Sequence, residues 1–76
     1  MNILITGGSG FIGSTLAREL SRLHRVYTVD LLPRVAPVHR HIQSDFVKLP
    51  SNFFRRVDVI YHLAAKLPIH KLSLFE

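Results

Sequence analysis

The glycines of this chain are confined to one short segment. The 76 residues include four glycines, at positions 7, 8, 10 and 13, and none occurs after Gly13. Glycine adopts backbone conformations, and permits close backbone approaches, that other residues do not. One loop near the start of the chain is therefore expected to have an unusual backbone.

Size and composition indicate one small, ordered unit. The chain is shorter than a usual domain of roughly 100–200 residues, but its hydrophobic fraction of 47% is too high for a disordered protein. It has no cysteine, so neither a disulfide nor a thiolate-bound metal can stabilise a small core. We expect a single domain of marginal stability.

The net charge of +5 is spread along the chain rather than concentrated in a patch. Basic residues occur from Arg18 to Lys71, and the longest run is Arg55-Arg56. Without a recognition motif beside them, they predict no nucleic-acid partner. The N-terminus lacks the basic region of a signal peptide, and no apolar stretch reaches the ~20 residues of a membrane span. We expect a cytoplasmic protein without a membrane partner.

The hydrophobic pattern predicts an alternation of strands and helix. Apolar, β-branched runs predict strands, and apolar residues at Ile12, Leu16, Leu20 and Leu23 predict a helix over 10–23. The predicted strands are 2–6, 26–30, 40–43 and 58–62, and one helical turn is predicted at 50–54. Strand, helix, strand at the start predicts a parallel βαβ unit. The nine-residue link to the third strand is shorter than a usual parallel crossover of a dozen or more residues, so that pairing stays open.

The glycine loop carries the strongest functional signal. Residues 8–13 fit G-x-G-x-x-G between a predicted strand and a predicted helix, which is the context of a dinucleotide-binding loop. Its backbone N–H groups and the helix N-terminus can bind a pyrophosphate without lysine. The same segment nearly matches a P-loop, but Ser14 stands where that motif needs lysine. A glycine-rich turn without a ligand is the remaining alternative.

Asp30 ends the second predicted strand, 17 residues after Gly13. The dinucleotide motif places an acid about 20 residues on, where it binds the ribose hydroxyls. The alternative is an aspartate that only closes a turn. A carboxylate here would repel a 2′-phosphate, so NAD is favoured over NADP, although Arg34 could soften that preference.

Three segments in order resemble one enzyme family. Residues 6–13 (TGGSGFIG) look like the T-G-x-x-G-x-x-G signature of the extended short-chain dehydrogenase/reductases, and in particular of the NAD-dependent epimerase/dehydratase family. Residues 58–65 (DVIYHLAA) resemble the family's fourth strand, and Asp45-Phe46 resembles its adenine-side pair. The resemblance implies an α/β fold, the N-terminal half of a Rossmann-type doubly wound parallel sheet with about four strands. It also implies NAD as cofactor and a substrate of the nucleotide-sugar type.

The resemblance further implies a set of cofactor-binding residues and no metal site. The backbone around Phe11 and Ile12 would bind pyrophosphate, and Asp30 would hold the adenosine ribose. The implied set is Gly7, Gly10, Phe11, Ile12, Gly13, Asp30, Asp45, Phe46, Leu63, Ala64 and Ala65. Ser44 departs from the glycine that the family often has before its Asp. His39 and His41 lack a third ligand, so we predict no metal there.

The family's catalytic Tyr-x-x-x-Lys pair has no counterpart in this sequence. Leu31 lies four residues after Tyr27, and Ala65 lies four after Tyr61. We therefore expect residues 1–76 to be a partial cofactor-binding domain without a substrate domain, inactive alone. Its small-molecule substrate would be met only in a full-length form. Two alternatives stay open: a non-catalytic NAD(P)-binding module or sensor, and a truncated gene product without a function of its own. The fourth strand would be an open edge through which copies could associate.

Overall fold

The computed structural model describes residues 1–64 of the chain. In chain order the elements are β1 (Asn2–Thr6), α1 (Phe11–Leu20), β2 (Arg25–Asp30), β3 (Arg40–Gln43), two 3₁₀ helices (Phe46–Lys48 and Ser51–Arg56) and β4 (Val59–His62). The four strands form one parallel sheet in the order β3-β2-β1-β4. The predicted α/β fold, the N-terminal portion of a Rossmann-type sheet, is confirmed.

The centre of the sheet is β1, which pairs with β2 on one side and β4 on the other. Its residues from Ile3 to Thr6 are all buried, as expected of a parallel strand covered on both faces. On one face, Ile3 and Ile5 pack with Val26 of β2 and Ala17 of α1. This face is the main hydrophobic core.

Helix α1 is shorter than the sequence predicts and contacts the sheet through smaller residues. It ends at Leu20, and the N–H of Ser21 donates to the Ala17 carbonyl. The buried positions are Gly13, Ser14 and Ala17, so small side chains allow a close approach. The first and last of the four apolar residues that predicted the helix do not pack on the sheet: Ile12 is 68% exposed and Leu23 is 85% exposed.

The link between β2 and β3 contains no helix and passes over the face of the sheet that α1 covers. Ala36 is buried, and Val38 packs on the same core cluster as α1. Nine extended residues can span about 30 Å, whereas a four-residue strand is only about 13 Å long. The link therefore suffices, and β3 pairs parallel to β2.

The second 3₁₀ helix packs on the opposite face of the sheet. Tyr27 pairs in register with Leu4, and its ring packs edge-on against Phe53 of the second 3₁₀ helix, with ring centroids 6.4 Å apart. Leu4 is fully buried. The first 3₁₀ helix, Phe46–Lys48, was not predicted, and the second extends two residues beyond the predicted turn.

Strand β4 lies at the edge of the described sheet, as the sequence predicts. Tyr61 is accordingly 38% exposed. Within residues 1–64, no helix is both long and apolar enough to cross a membrane.

Candidate functional site

The loops that follow the parallel strands meet at one edge of the sheet and enclose a cavity. In open α/β sheets, ligands bind at this carboxyl edge. The cavity has a volume of about 280 Å³. Its lining residues are Gly7, Val29, Asp30, Leu31, Ser44, Asp45, Phe46 and Ala64. Five of the eleven residues of the predicted set therefore line one cavity.

Gly7 and Gly13 are required by the backbone of the loop itself. Gly7 has a positive φ of 78°, which disfavours any residue with a side chain. A Cβ on Gly13 would lie 2.1 Å from the carbonyl oxygen of Gly7. The contact that Gly13 permits is between α1 and the Gly7-Gly8 backbone of the loop.

Gly10 is different, because nothing in the described chain requires a glycine there. Its backbone is extended, with φ −76° and ψ 172°, and a Cβ would meet its nearest atom, the Gly7 oxygen, at an ordinary 3.5 Å. The surface above Gly10 is therefore open. A bare backbone beside open space suits close approach by a ligand.

The N-terminus of α1 presents unpaired donors. Across residues 1–64, no hydrogen bond takes up the N–H groups of Phe11, Ile12 or Gly13, whereas the N–H of Ser14 donates to Gly10. The first turn contains no acidic residue that would offset the partial positive charge of the helix end. Residues 10–13 do not line the cavity, and the side chains of Phe11 and Ile12 are largely exposed, so this helix end offers a ligand its backbone N–H groups.

Asp30 joins the glycine loop to the segment that follows β2. Its Oδ2 accepts from the N–H of Ser9 at 3.0 Å, and its Oδ1 accepts from the N–H of Leu32 at 3.0 Å. The second bond is the turn-closing contact that the sequence left as the alternative. An ionised carboxylate has about four acceptor sites, so the Asp30 carboxylate can still accept hydroxyl donors from the cavity.

Asp45 and Phe46 form the wall that follows β3. Oδ1 of Asp45 accepts from the N–H of Val47 at 3.1 Å and caps the first 3₁₀ helix. The Phe46 ring meets the His62 ring edge-on, with centroids 4.7 Å apart. Ser44, where the family often has glycine, keeps the turn in place through its N–H, which donates to the Asp30 carbonyl.

The end of β4 is tied to the end of β1. The N–H of Ala64 donates to Thr6 Oγ1 at 3.2 Å, and His62 Nδ1 lies 2.7 Å from the same oxygen. Ala64 lines the cavity, whereas Leu63 does not. Ala65 lies outside the described residues.

Sequence reasoning missed three wall residues and one supporting histidine. Val29, Leu31 and Ser44 line the cavity, and the rule that ligands bind at strand ends could have indicated all three. His41 contacts Thr28 and the Leu32 carbonyl, for which the sequence carries no signal. In the part of the chain that the structure describes, no group of three or more potential metal ligands occurs.

Comparison with known proteins identifies the family. The model of the NAD dependent epimerase/dehydratase family matches residues 3–73. Among curated proteins there is no match.

Two solved structures are similar over most of the chain. A UDP-glucuronic acid 4-epimerase from Bacillus cereus, in complex with UDP-glucuronic acid and NAD, is 28% identical over 91% of this chain, with a TM-score of 0.72. TunA, an NAD-dependent NDP-hexosamine 5,6-dehydratase of tunicamycin biosynthesis, is 29% identical over 99% of it, with a TM-score of 0.75. The chain spans 28% of the length of each. Because the family model matches nearly its whole length, the chain belongs to the NAD-dependent epimerase/dehydratase family.

Proposed function

We propose that this chain binds the adenosine and pyrophosphate part of NAD, as the cofactor-binding segment of an epimerase or dehydratase that acts on a nucleotide sugar. The observation that carries the proposal is the N-terminus of α1, where the N–H groups of residues 11–13 are unpaired beside the open surface of Gly10. Backbone donors at a helix N-terminus form an anion site.

The walls of the cavity suit the remaining parts of the ligand. Asp30 would accept the adenosine ribose hydroxyls, and Asp45 and Phe46 would border the adenine. Gly7 and Ala64 line the same cavity, while the roles of Leu63 and Ala65 stay predictions from the family resemblance. When bound, NAD would supply the hydride chemistry of the enzyme, while this chain would hold and orient the adenosine end.

The remaining parts of the proposal rest on the sequence. Residues 1–76 would be a partial NAD-binding domain without a substrate domain, and neither Tyr27 nor Tyr61 is followed by a lysine at the family's spacing. Chemistry would then depend on residues outside this sequence. Self-association through the edge of β4 stays a prediction, as does a cytoplasmic location.

Thermal melting of the 76-residue chain with and without NAD tests the binding proposal. A ligand at ten times its Kd stabilises the folded state by about 1.4 kcal/mol, which raises the Tm of a domain this small by about 6–11 °C. Nicotinamide mononucleotide is the control, because it lacks the adenosine half and should shift the Tm far less. A cooperatively folded chain whose Tm does not respond to millimolar NAD would refute the proposal.

Replacing Asp30 by asparagine is expected to lower the preference for NAD over NADP by about tenfold, or about 1.4 kcal/mol. The substitution removes the charge that repels a 2′-phosphate. Calorimetric titration of both dinucleotides at one ionic strength measures the preference. Asp58→Asn is the matched control, because that carboxylate also accepts a backbone N–H, from Asn2 at 2.7 Å, but lies just before β4, at the opposite edge of the sheet. An unchanged preference in Asp30→Asn would remove Asp30 from the ribose site.

A further inference from the structure

We infer that His41 is a positioning residue that holds the Asp30 carboxylate in place for the ribose, although it does not line the cavity. The inference rests on the proposed function. It concerns a residue of β3 that neither the motif nor the family resemblance includes. The two nitrogens of its imidazole ring contact different parts of the chain.

The His41 ring connects β2 to the segment after Asp30. Nε2 lies 2.9 Å from the Leu32 carbonyl oxygen, and Nδ1 lies 2.7 Å from Thr28 Oγ1. A carbonyl oxygen can only accept, so Nε2 carries the proton and donates to Leu32. In the neutral ring, Nδ1 then accepts from the Thr28 hydroxyl.

The Leu32 backbone connects His41 to Asp30 through two hydrogen bonds. The N–H of Leu32 donates to Asp30 Oδ1 at 3.0 Å, so His41 and Asp30 bind opposite ends of one residue. Leu32 is itself 59% exposed, so packing of its side chain does little to fix its position. Its backbone is therefore held mainly by hydrogen bonds. The Leu32 carbonyl accepts from His41 of β3 at 2.9 Å and from Ser9 Oγ at 3.4 Å, so the His41 contact is the shorter of the two.

Thr28 fixes the other side of the ring against the glycine loop. It is 2% exposed, and a Cβ on Gly8 would lie 2.5 Å from its Cβ and Cγ2 atoms. The His41 ring is thus anchored to a side chain that cannot move without displacing the loop. The chain of contacts runs from Gly8 through Thr28, His41 and Leu32 to Asp30.

A carboxylate that is already ordered in the free protein binds hydroxyl donors more tightly, because binding does not have to bear the entropy cost of ordering it. The N–H groups of Ser9 and Leu32 hold one oxygen each of the Asp30 carboxylate. Removing the His41 donor leaves the Leu32 carbonyl with only the longer contact from Ser9 Oγ, at 3.4 Å, and so loosens the Leu32 backbone that orients Oδ1. The expected loss falls on ribose recognition and spares the pyrophosphate site at α1.

The test compares two substitutions that keep different halves of the imidazole. In His41→Gln the side-chain amide can still donate to the Leu32 carbonyl, whereas in His41→Asn the shorter amide can reach only Thr28. Each variant is titrated with ADP and with 2′,3′-dideoxy-ADP, which lacks the ribose hydroxyls. The affinity ratio of the two ligands reports the ribose contact alone, and thermal melting reports stability separately.

We expect His41→Asn to lower this ratio by about 3- to 10-fold, the range of one net hydrogen bond, while His41→Gln keeps it near the parent value. In an Asp30→Ala background, His41→Asn should lower the ratio no further, because the two residues act on one contact. An affinity ratio that is unchanged in His41→Asn would overturn the inference. So would a ratio that falls equally in both variants and in proportion to their loss of Tm, because general destabilisation would then explain it.

Failure of the proposed function gives a different result. If the parent chain binds neither ligand, the cofactor site itself is refuted and the inference with it. If the parent binds both ligands equally, the pyrophosphate site stands, but the role of Asp30 and that of His41 are both overturned.

Discussion

Replacing Gly13 by alanine is expected to destabilise the folded chain by about 3 kcal/mol or more. The new Cβ would lie 2.1 Å from the Gly7 oxygen and 2.9 Å from the Gly7 carbonyl carbon. Both are backbone atoms, so no side-chain rotation relieves the clash, and either α1 or the glycine loop must move. Overpacking costs about 1–3 kcal/mol where side chains can adjust, and a fixed backbone puts this case at or above the top of that range.

A loss of this size is large for so small a domain. At about 0.05–0.15 kcal/mol per residue, a chain of this length has a total stability of roughly 4–11 kcal/mol. A loss of about 3 kcal/mol corresponds to a fall in Tm of about 12–24 °C. Circular dichroism melting measures it directly.

Gly10→Ala is the matched control for Gly13→Ala. It makes the same chemical change three residues away, where the Cβ would meet its nearest atom at 3.5 Å and the backbone φ is an unstrained −76°. The weaker cap formed by alanine and the reduced entropy of the unfolded chain act in opposite directions, so we expect a net change below about 1 kcal/mol. Equal melting temperatures for the Gly13 and Gly10 variants would show that the helix does not pack on the loop as described.

Replacing Gly10 by valine is expected to leave the fold intact and to weaken NAD binding by more than tenfold. Extended backbone accommodates a β-branched residue, so the fold should tolerate the change. The side chain would instead occupy the open surface beside the unpaired N–H groups of residues 11–13, and a pyrophosphate could no longer approach them closely. More than tenfold in Kd corresponds to more than about 1.4 kcal/mol.

Comparison with adenosine separates this effect from general damage. Adenosine carries no phosphate, so its affinity should be the same for the parent and for Gly10→Val, while the affinities for ADP and NAD fall. Competition experiments followed by NMR can measure these weak affinities. If Gly10→Val binds NAD as tightly as the parent does, the pyrophosphate is not bound at this loop.

The sequence predicted the sheet better than it predicted the helix. Strands β1, β2 and β4 have apolar runs, whereas β3 (Arg40–Gln43) has a single apolar residue. The observed bounds of all four strands differ from the predicted ones by at most one residue. The end of α1 was misplaced because Leu23 fits a helical repeat, although the helix contacts the sheet through Gly13, Ser14 and Ala17. A periodic pattern counts large apolar residues and gives no weight to small ones that let two backbones approach.

The sequence predicted some residues of the site and missed others. Gly7, Asp30, Asp45, Phe46 and Ala64 were proposed from a motif and a resemblance, and they line one cavity. The first 3₁₀ helix was missed because its cap is a single bond, from the N–H of Val47 to Asp45. The role of His41 could not be predicted either, since its partners Thr28 and Leu32 meet it only after β3 pairs with β2.

The most direct test is an NMR titration of the isotope-labelled 76-residue chain with NAD, following the backbone amides. We predict that the N–H signals of Phe11, Ile12 and Gly13 shift most, together with those of Ser9 and Leu32, which donate to the Asp30 carboxylate. The amide signals of Arg55 and Arg56, in the second 3₁₀ helix, should not shift. A folded chain whose amides at residues 11–13 do not respond to saturating NAD would contradict a cofactor site at this helix end.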